Sequence, residues 1–557
     1  MKIKKLLFIL LPWFMIMGCQ QNLTATYYIS PSGNDSHSGT SVQTAWRTID
    51  KVNAVDLDPG DKVLFQAGRD YHGNLLLTAE DAGTPKQPVV IGSYGSGRAR
   101  IKAGDGSGVT VRNAGGVVVE NLIVIGNDYR TNAGSGIKIV NELPNNQELQ
   151  YIRVHNVEAS GFGREPYQDP ETEGSSNGYG IIVSDSYIDV RITNCTTYEN
   201  EYCGIFVVAS NFYVGYCKMY DNPGDPNYFE NHSGSGILVA GQDAMIEYCE
   251  AYNNGYQGGC KVGGPIGIWA AWCDNVVIQY CESHHNRAGK GDGGGFHFDG
   301  HTTNSVMQYN YSHDNDGAGY LICSYEGAGN SNNNTVRYNI SANDARKQRH
   351  AAIHLWTGSP KDAPIHNTQI YGNTIYASTS PAISIRRKGI YNTKVCNNLF
   401  ITANNQKLVE ADPNRTTATF AGNAYWAVDG KYDFAGNSYW EVDGIHAIPG
   451  YKSLEDWRAA TGQETLNGKP VGLLVDPKLM DLGKSITVGD PTKLHTLTAY
   501  RLQKDSPLID AGLDLKSLFG IDPGNRDFYG NPIPQGKAYD IGAHEIILEN
   551  TSSVEQK

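Results

Sequence analysis

One short string, repeated along most of the chain, limits the fold more than anything else in the sequence. It consists of an apolar residue, a spacer, often Tyr, then Asn or Cys, and usually Asn five residues later. VGYCKMYDN, IEYCEAYNN, IQYCESHHN, MQYNYSHDN and VRYNISAND are copies. With the Asn/Cys position as anchor, the series reads Asn121, Asn156, Cys195, Cys217, Cys249, Cys281, Asn310, Asn339, Asn373 and Asn398, at intervals drifting between 22 and 39 residues. A drifting period of this size belongs to a solenoid whose coils carry loops of unequal length.

A second strand precedes each anchor. GSGIKIV, GYGIIVS, YCGIFVV, GSGILVA, PIGIWAA, GGGFHFD, GAGYLIC, HAAIHLW and SPAISIR align on Ile137, Ile181, Ile205, Ile237, Ile268, Phe296, Tyr320, Ile353 and Ile383. Strand alternation puts these residues, and those two further on, into a common bore. Strands stacked at this period without intervening helices predict an all-β chain, a parallel β-helix over residues 89–402. Residues 19–88 precede it as a cap, 403–548 close its far end, and 549–557 form a frayed tail. The opening TYYISPSGNDSHSG resembles the leader of secreted right-handed parallel β-helix proteins. Four cysteines, Cys195, Cys217, Cys249 and Cys281, share the anchor column. They are expected as reduced, buried small hydrophobes, because a column along one stack is not tetrahedral and no Cys-x-x-Cys pair exists.

Lys2, Lys4 and Lys5 precede the apolar run LLFILLPWFMIM and the pair Gly18-Cys19. This reads as an export signal over residues 1–18. Its Ile-Met-Gly-Cys ending resembles the bacterial lipobox, which implies lipidation at Cys19. The following Gln-Gln-Asn implies the outer membrane, facing the periplasm. A formal net charge of −13 argues against nucleic acid or an anionic membrane surface as partner. The expected partner is an oligosaccharide or polysaccharide, the expected state a monomer, and membrane contact is expected only through the lipid.

Polarity changes abruptly in the middle of the stack. With Phe296 and Phe298 inward, His297, Asp299 and His301 point out. The neighbouring coils add Trp269, then Tyr325 and Glu326, then His354 and Trp356, whereas earlier coils place Ile182, Phe206, Val208 and Leu238 on that face. Asp299 stands mid-strand, where aspartate has poor propensity. DGGGF from Asp292 and DGAGY from Asp316 lie 24 residues apart, so Asp316 stacks on Asp292, with Gly264 before and Arg349 after. Stacked carboxylates lie roughly 5 Å apart, near the separation used by retaining glycosidases. Aromatics beside acids suit the apolar face of a sugar ring. His297 and His301 would sit roughly 13 Å apart on a strand, so no metal is expected there, and no cofactor elsewhere.

The string DGGGFHFDG resembles the β-helix lacto-N-biosidases, in which two aspartates seven positions apart serve as acid/base and nucleophile. The wider chain resembles the β-helix α-L-fucosidase/xylanase family of gut Bacteroidota. The first resemblance implies a glycoside hydrolase with Asp292 as acid/base and Asp299 as nucleophile; Asp316 competes for either role. Trp269, His297, His301, Tyr325, Glu326, Arg349, His354 and Trp356 are then candidate sugar contacts. Two alternatives stay open. A polysaccharide lyase would need a Lys or Arg base, an acidic polymer and usually calcium; Lys261, Arg346, Lys347 and Arg349 are its candidates. A glycan-binding lipoprotein without catalysis is the other.

Overall fold

The computed structural model describes residues 24–163, 177–228, 232–259, 263–289, 291–347, 350–412, 416–441 and 444–547. Cys19, Lys261 and Arg349 lie outside them. The fold is a right-handed parallel β-helix. The column of inward residues expected from alternation is the observed register at every step. Ile137 pairs with Ile181, and the series continues through Ile205, Ile237, Ile268, Phe296, Tyr320, Ile353 and Ile383. All nine are buried. Four long strands, Tyr179–Thr193, Cys203–Gly215, Ser235–Glu247 and Ile266–Gln279, turn a corner without breaking. Two faces of the coil thereby merge into one sheet of 24 strands, while the third face is a separate sheet of 14.

The second corner explains the repeated string. The residue just before each anchor is left-handed, with φ of 57° at Tyr216, 53° at Tyr248, 51° at Tyr280 and 57° at Tyr309. The anchor itself points in and hydrogen-bonds to the next coil. Asn310 Nδ2 donates to Asn339 Oδ1 at 3.1 Å, and the ladder continues through Asn373, Asn398 and Asn423. A second ladder runs five residues on, from Asn200 through Asn222, Asn254, Asn286 and Asn315 to Asp344. Each amide supplies the partner its neighbour needs once both are buried.

On two coils the anchors shift by one. Asn121 and Asn156 are the left-handed corner residues, with φ of 55° and 51°. The inward slot there holds Leu122 and Val157, since Thr196 N–H bonds Val157 O as Lys218 N–H bonds Cys195 O. Asparagine suits both positions, for different reasons: it tolerates the left-handed corner, and in the slot it satisfies its neighbours. The eight described cysteines are all free and buried.

The coil also outruns the repeat. Thr26–Ile29 already pairs in parallel with Lys62–Gln66, and that strand with Val89–Tyr94; at the far end Val409 pairs with Phe434. These strands alternate correctly but lack the anchor. The open end is closed by the helix Leu454–Thr461, whose Trp457 stacks on Phe434 at 5.3 Å. The remaining chain lies along the flank instead of over the end. Leu494, Tyr500, Leu508, Phe528 and Ile541 pack on Tyr311, Ile340, Leu399 and Ile401 of the 14-stranded sheet. Among the described residues no helix is long and apolar enough to cross a membrane.

Candidate active site

The strand Gly294–Asp299 lies between Ile266–Gln279 and Tyr320–Ser324. Phe296 and Phe298 fill the bore, with the Phe296 ring stacked on Tyr320 at 5.3 Å. His297 and Asp299 therefore leave on the outer side, yet neither is solvated: His297 is 0% exposed and Asp299 4%. The glycines before them explain part of this. The His297 ring folds back over Gly294, where a Cβ would stand 2.2 Å from Nε2.

The columns on this face follow the expected register. Trp269, His297, Leu321 and His354 form one. Ala271 pairs with Asp299 in the next, and Cys323 with Trp356. Cys323 Sγ donates to Asp299 Oδ1 at 2.6 Å. Asp292 sits on the glycine turn at the strand's start. Its Oδ2 accepts the Gly264 N–H at 3.1 Å, and its Oδ1 faces His350 Nε2 at 3.6 Å.

Two further groups sense both aspartates electrostatically. Burial pushes the Cys323 thiol well up, and the charges of Asp299 and Asp292 push it further. Burial holds His350 below the usual histidine range, while Asp292 and Asp299 both pull the other way. His354, 5.1 Å from His350 between ring centres, is held well below its usual range by burial and by His350. Asp292 thus faces an imidazole held below its usual range, and among the described residues neither Asp292 nor Asp299 pairs with a lysine.

Several buried polar atoms here have no hydrogen-bond partner: His297 Nδ1 and Nε2, and Trp269 Nε1. His297 Nδ1 is 3.7 Å from Asp299 Oδ1, beyond hydrogen-bond length. Leaving such groups unpaired costs about 1–3 kcal/mol each. Beyond Asp299 lie the exposed aromatics. Trp272 and Tyr325 are 50% and 41% exposed, joined by a 2.8 Å bond from Nε1–H to the phenol oxygen across Gly300. Arg387 lies over the Trp356 ring at 4.9 Å.

The remaining candidates separate. Asp316 is stacked on Asp292 through the backbone, Gly317 N–H to Gly293 O at 2.9 Å, but its side chain faces elsewhere. It pairs with Lys347 at 2.7 Å, accepts the Ala288 N–H, and lines a cleft with His285, Arg287, Asp314 and Arg346. A shared backbone register does not fix side-chain direction in a turn. His301 is exposed past the left-handed Gly300 and lies against Gly329, and Glu326 is exposed on the following loop. Arg349 lies outside the described residues. Sequence reasoning missed His350, Cys323 and Trp272; Cys323 was legible as the residue in register with Asp299.

Residues 179–405 match the family described as "Right handed beta helix region". A lacto-N-biosidase of Bifidobacterium longum subsp. longum is 24% identical over 484 residues, a match covering 69% of this chain. The chain spans only 29% of that relative's length. Among solved structures, the GH136 lacto-N-biosidase from Eubacterium ramulus aligns at 20% identity and a TM-score of 0.49, covering 67% of each chain. A mannuronan C-5 epimerase A-module from Azotobacter vinelandii aligns at 17% identity and 0.44, covering 62% of this chain and 88% of its own.

Proposed function

We propose that this chain is a glycoside hydrolase in which Asp299 attacks the sugar and Asp292 handles the proton. The observation that carries the reading is the placement of the two aspartates at the two ends of the strand Gly294–Asp299, Asp299 Oδ1 held by Cys323 Sγ at 2.6 Å and Asp292 Oδ1 facing His350 Nε2 at 3.6 Å. Asp299 is held at the end of its strand with Oδ1 occupied by the Cys323 thiol, which leaves Oδ2 for the anomeric carbon. As the C–O bond breaks, Asp292 gives its proton to the departing oxygen. Asp292 then takes a proton from water, the water oxygen joins the anomeric carbon, and Asp299 is released. Trp272, Tyr325 and Trp356 offer ring faces beside the sugar, and the buried His297 stands behind Asp299, Nδ1 3.7 Å from its Oδ1.

The relative's name makes a lacto-N-bioside the first substrate to try. With such a glycoside, Asp299→Asn and Asp292→Asn should each lower kcat by several orders of magnitude. On an aryl glycoside with an excellent leaving group, Asp292→Asn should retain far more bond cleavage than Asp299→Asn, since little protonation is needed. Near-normal turnover by Asp299→Asn, or a product with the ultraviolet absorbance of an unsaturated sugar, would replace this mechanism with elimination. We also propose that the mature chain is lipidated at Cys19 and faces the periplasm from the outer membrane. Cys19→Ala should move it from the membrane fraction to the soluble one.

A further inference from the structure

A second cluster of titratable groups lies on the 14-stranded sheet, under the C-terminal extension. Glu250–Tyr252, Glu282–His284 and Tyr311–His313 stack in register, so that Tyr252, His284 and His313 form one column. The two imidazoles lie 4.7 Å apart and nearly parallel, at 8°. Each directs Nε2 at a carboxylate on the coil below: His284 at Glu250 Oε1, His313 at Glu282 Oε1, both at 3.2 Å. Glu282 also accepts the Val488 and Gly489 N–H groups at 2.7 Å each, which fixes it as an acceptor.

With its proton on Nε2, each ring would present the Nδ1 lone pair on its other side. The Nδ1 atoms then meet other electron-rich atoms. His284 Nδ1 is 2.9 Å from His285 Nδ1, and His313 Nδ1 is 3.0 Å from Asp314 Oδ2. Contacts this short hold either a proton or a metal ion between the facing atoms. A carboxylate behind an imidazole, holding its far nitrogen, is the usual support of a metal-bound histidine. The ring of His285 stands at 89° to that of His313, so the two can aim at one point, which the parallel pair cannot. One donor atom from each of His285, His313 and Asp314 lies within 4.8 Å of the others. Imidazole nitrogen with one carboxylate oxygen is a donor set for borderline divalent ions, not for calcium or magnesium.

We propose that His285, His313 and Asp314 bind a divalent transition-metal ion, zinc first, with Glu282 as the carboxylate that orients His313. His285 and Asp314 line the cleft that also holds Arg287, Arg346 and Lys347, so the site would open to it. Because Glu282 is also bound by Val488 and Gly489, the ion ties the extension to the coils. The site shares no residue with the Asp292–Asp299 cluster and is independent of the proposed hydrolysis.

The test uses untagged full-length protein stripped with EDTA. Calorimetric titration with ZnCl2 should show one saturable equivalent and a higher thermal midpoint. His285→Ala and Asp314→Asn, both at partly exposed positions, should each weaken binding at least about tenfold with an unchanged far-ultraviolet spectrum. Cobalt should give visible bands without sulfur-to-metal charge transfer. Absence of saturable zinc or cobalt binding would overturn the proposal, leaving a protonated His313 bridging Glu282 and Asp314. Binding undiminished in both variants, or cobalt bands from thiolate, would place the ion elsewhere and overturn it equally.

Discussion

His297 stands out among single residues because it is wholly buried and neither ring nitrogen is hydrogen-bonded. Its column neighbour on the next coil is Leu321, also buried, so the fold accepts an aliphatic side chain on this face. His297→Leu should therefore separate stability from function. Removing an unsatisfied buried group should leave the thermal midpoint unchanged or raise stability by about 1 kcal/mol. Loss of the imidazole behind Asp299 should meanwhile lower kcat/KM on the order of 10-fold or more. A drop in both would mean that His297 is structural. Asp299 and His297 were legible in the sequence because strand alternation is rigid: once Phe296 and Phe298 face in, their neighbours must face out. Asp316 was misread because it sits in a turn, where the side chain turns to Lys347 and the far cleft although the backbone keeps register.

At the level of the element, the amide ladders both end on a buried carboxylate. Asn423 Nδ2 and the Tyr425 hydroxyl donate to Glu464 Oε1, each at 2.7 Å, and Gly422 N–H donates to Oε2. Burial raises Glu464 to about 7 despite these donors, and raises Asp344, which ends the other ladder, to about 6. An acid with a raised folded pKa stabilises the fold while protonated. For Glu464 that contribution is full below about pH 4.5 and is lost as pH rises through about 7. Each pKa unit is worth about 1.4 kcal/mol. Glu464→Gln should therefore flatten the fall in urea stability between pH 4.5 and 7, gaining on the unmodified chain as pH rises. Parallel pH curves for the two proteins would show that Glu464 does not titrate in this window. The ladders were visible as a repeated Asn five residues past the anchor. The one-residue shift at Asn121 and Asn156 was not, because asparagine is equally at home in the left-handed corner and the inward slot.

For the whole molecule, the question is whether the chain past residue 472 is a separable module or part of the coil's own surface. A β-helix must cover its ends, and the helix Leu454–Thr461 does that; flank coverage is an additional demand. The repeat already places Tyr311, Ile340, Leu399 and Ile401 on the outside of the 14-stranded sheet, where they would meet water. The extension answers with Leu494, Tyr500, Leu508, Phe528 and Ile541. Burying each such side chain is worth about 1.5–3 kcal/mol. It also supplies two of the N–H donors to Glu282, a carboxylate with 0% exposure. A chain ending at residue 472 would keep the end helix and the Asp292–Asp299 cluster while losing this cover. It should bind a hydrophobic dye, aggregate on expression, and unfold at a clearly lower temperature in whatever fraction stays soluble. A soluble truncated chain with an unchanged thermal midpoint and no dye binding would show the extension to be a separate module. Aggregation is the expected result, because removing the extension bares an apolar flank and strips donors from a buried charge in one step.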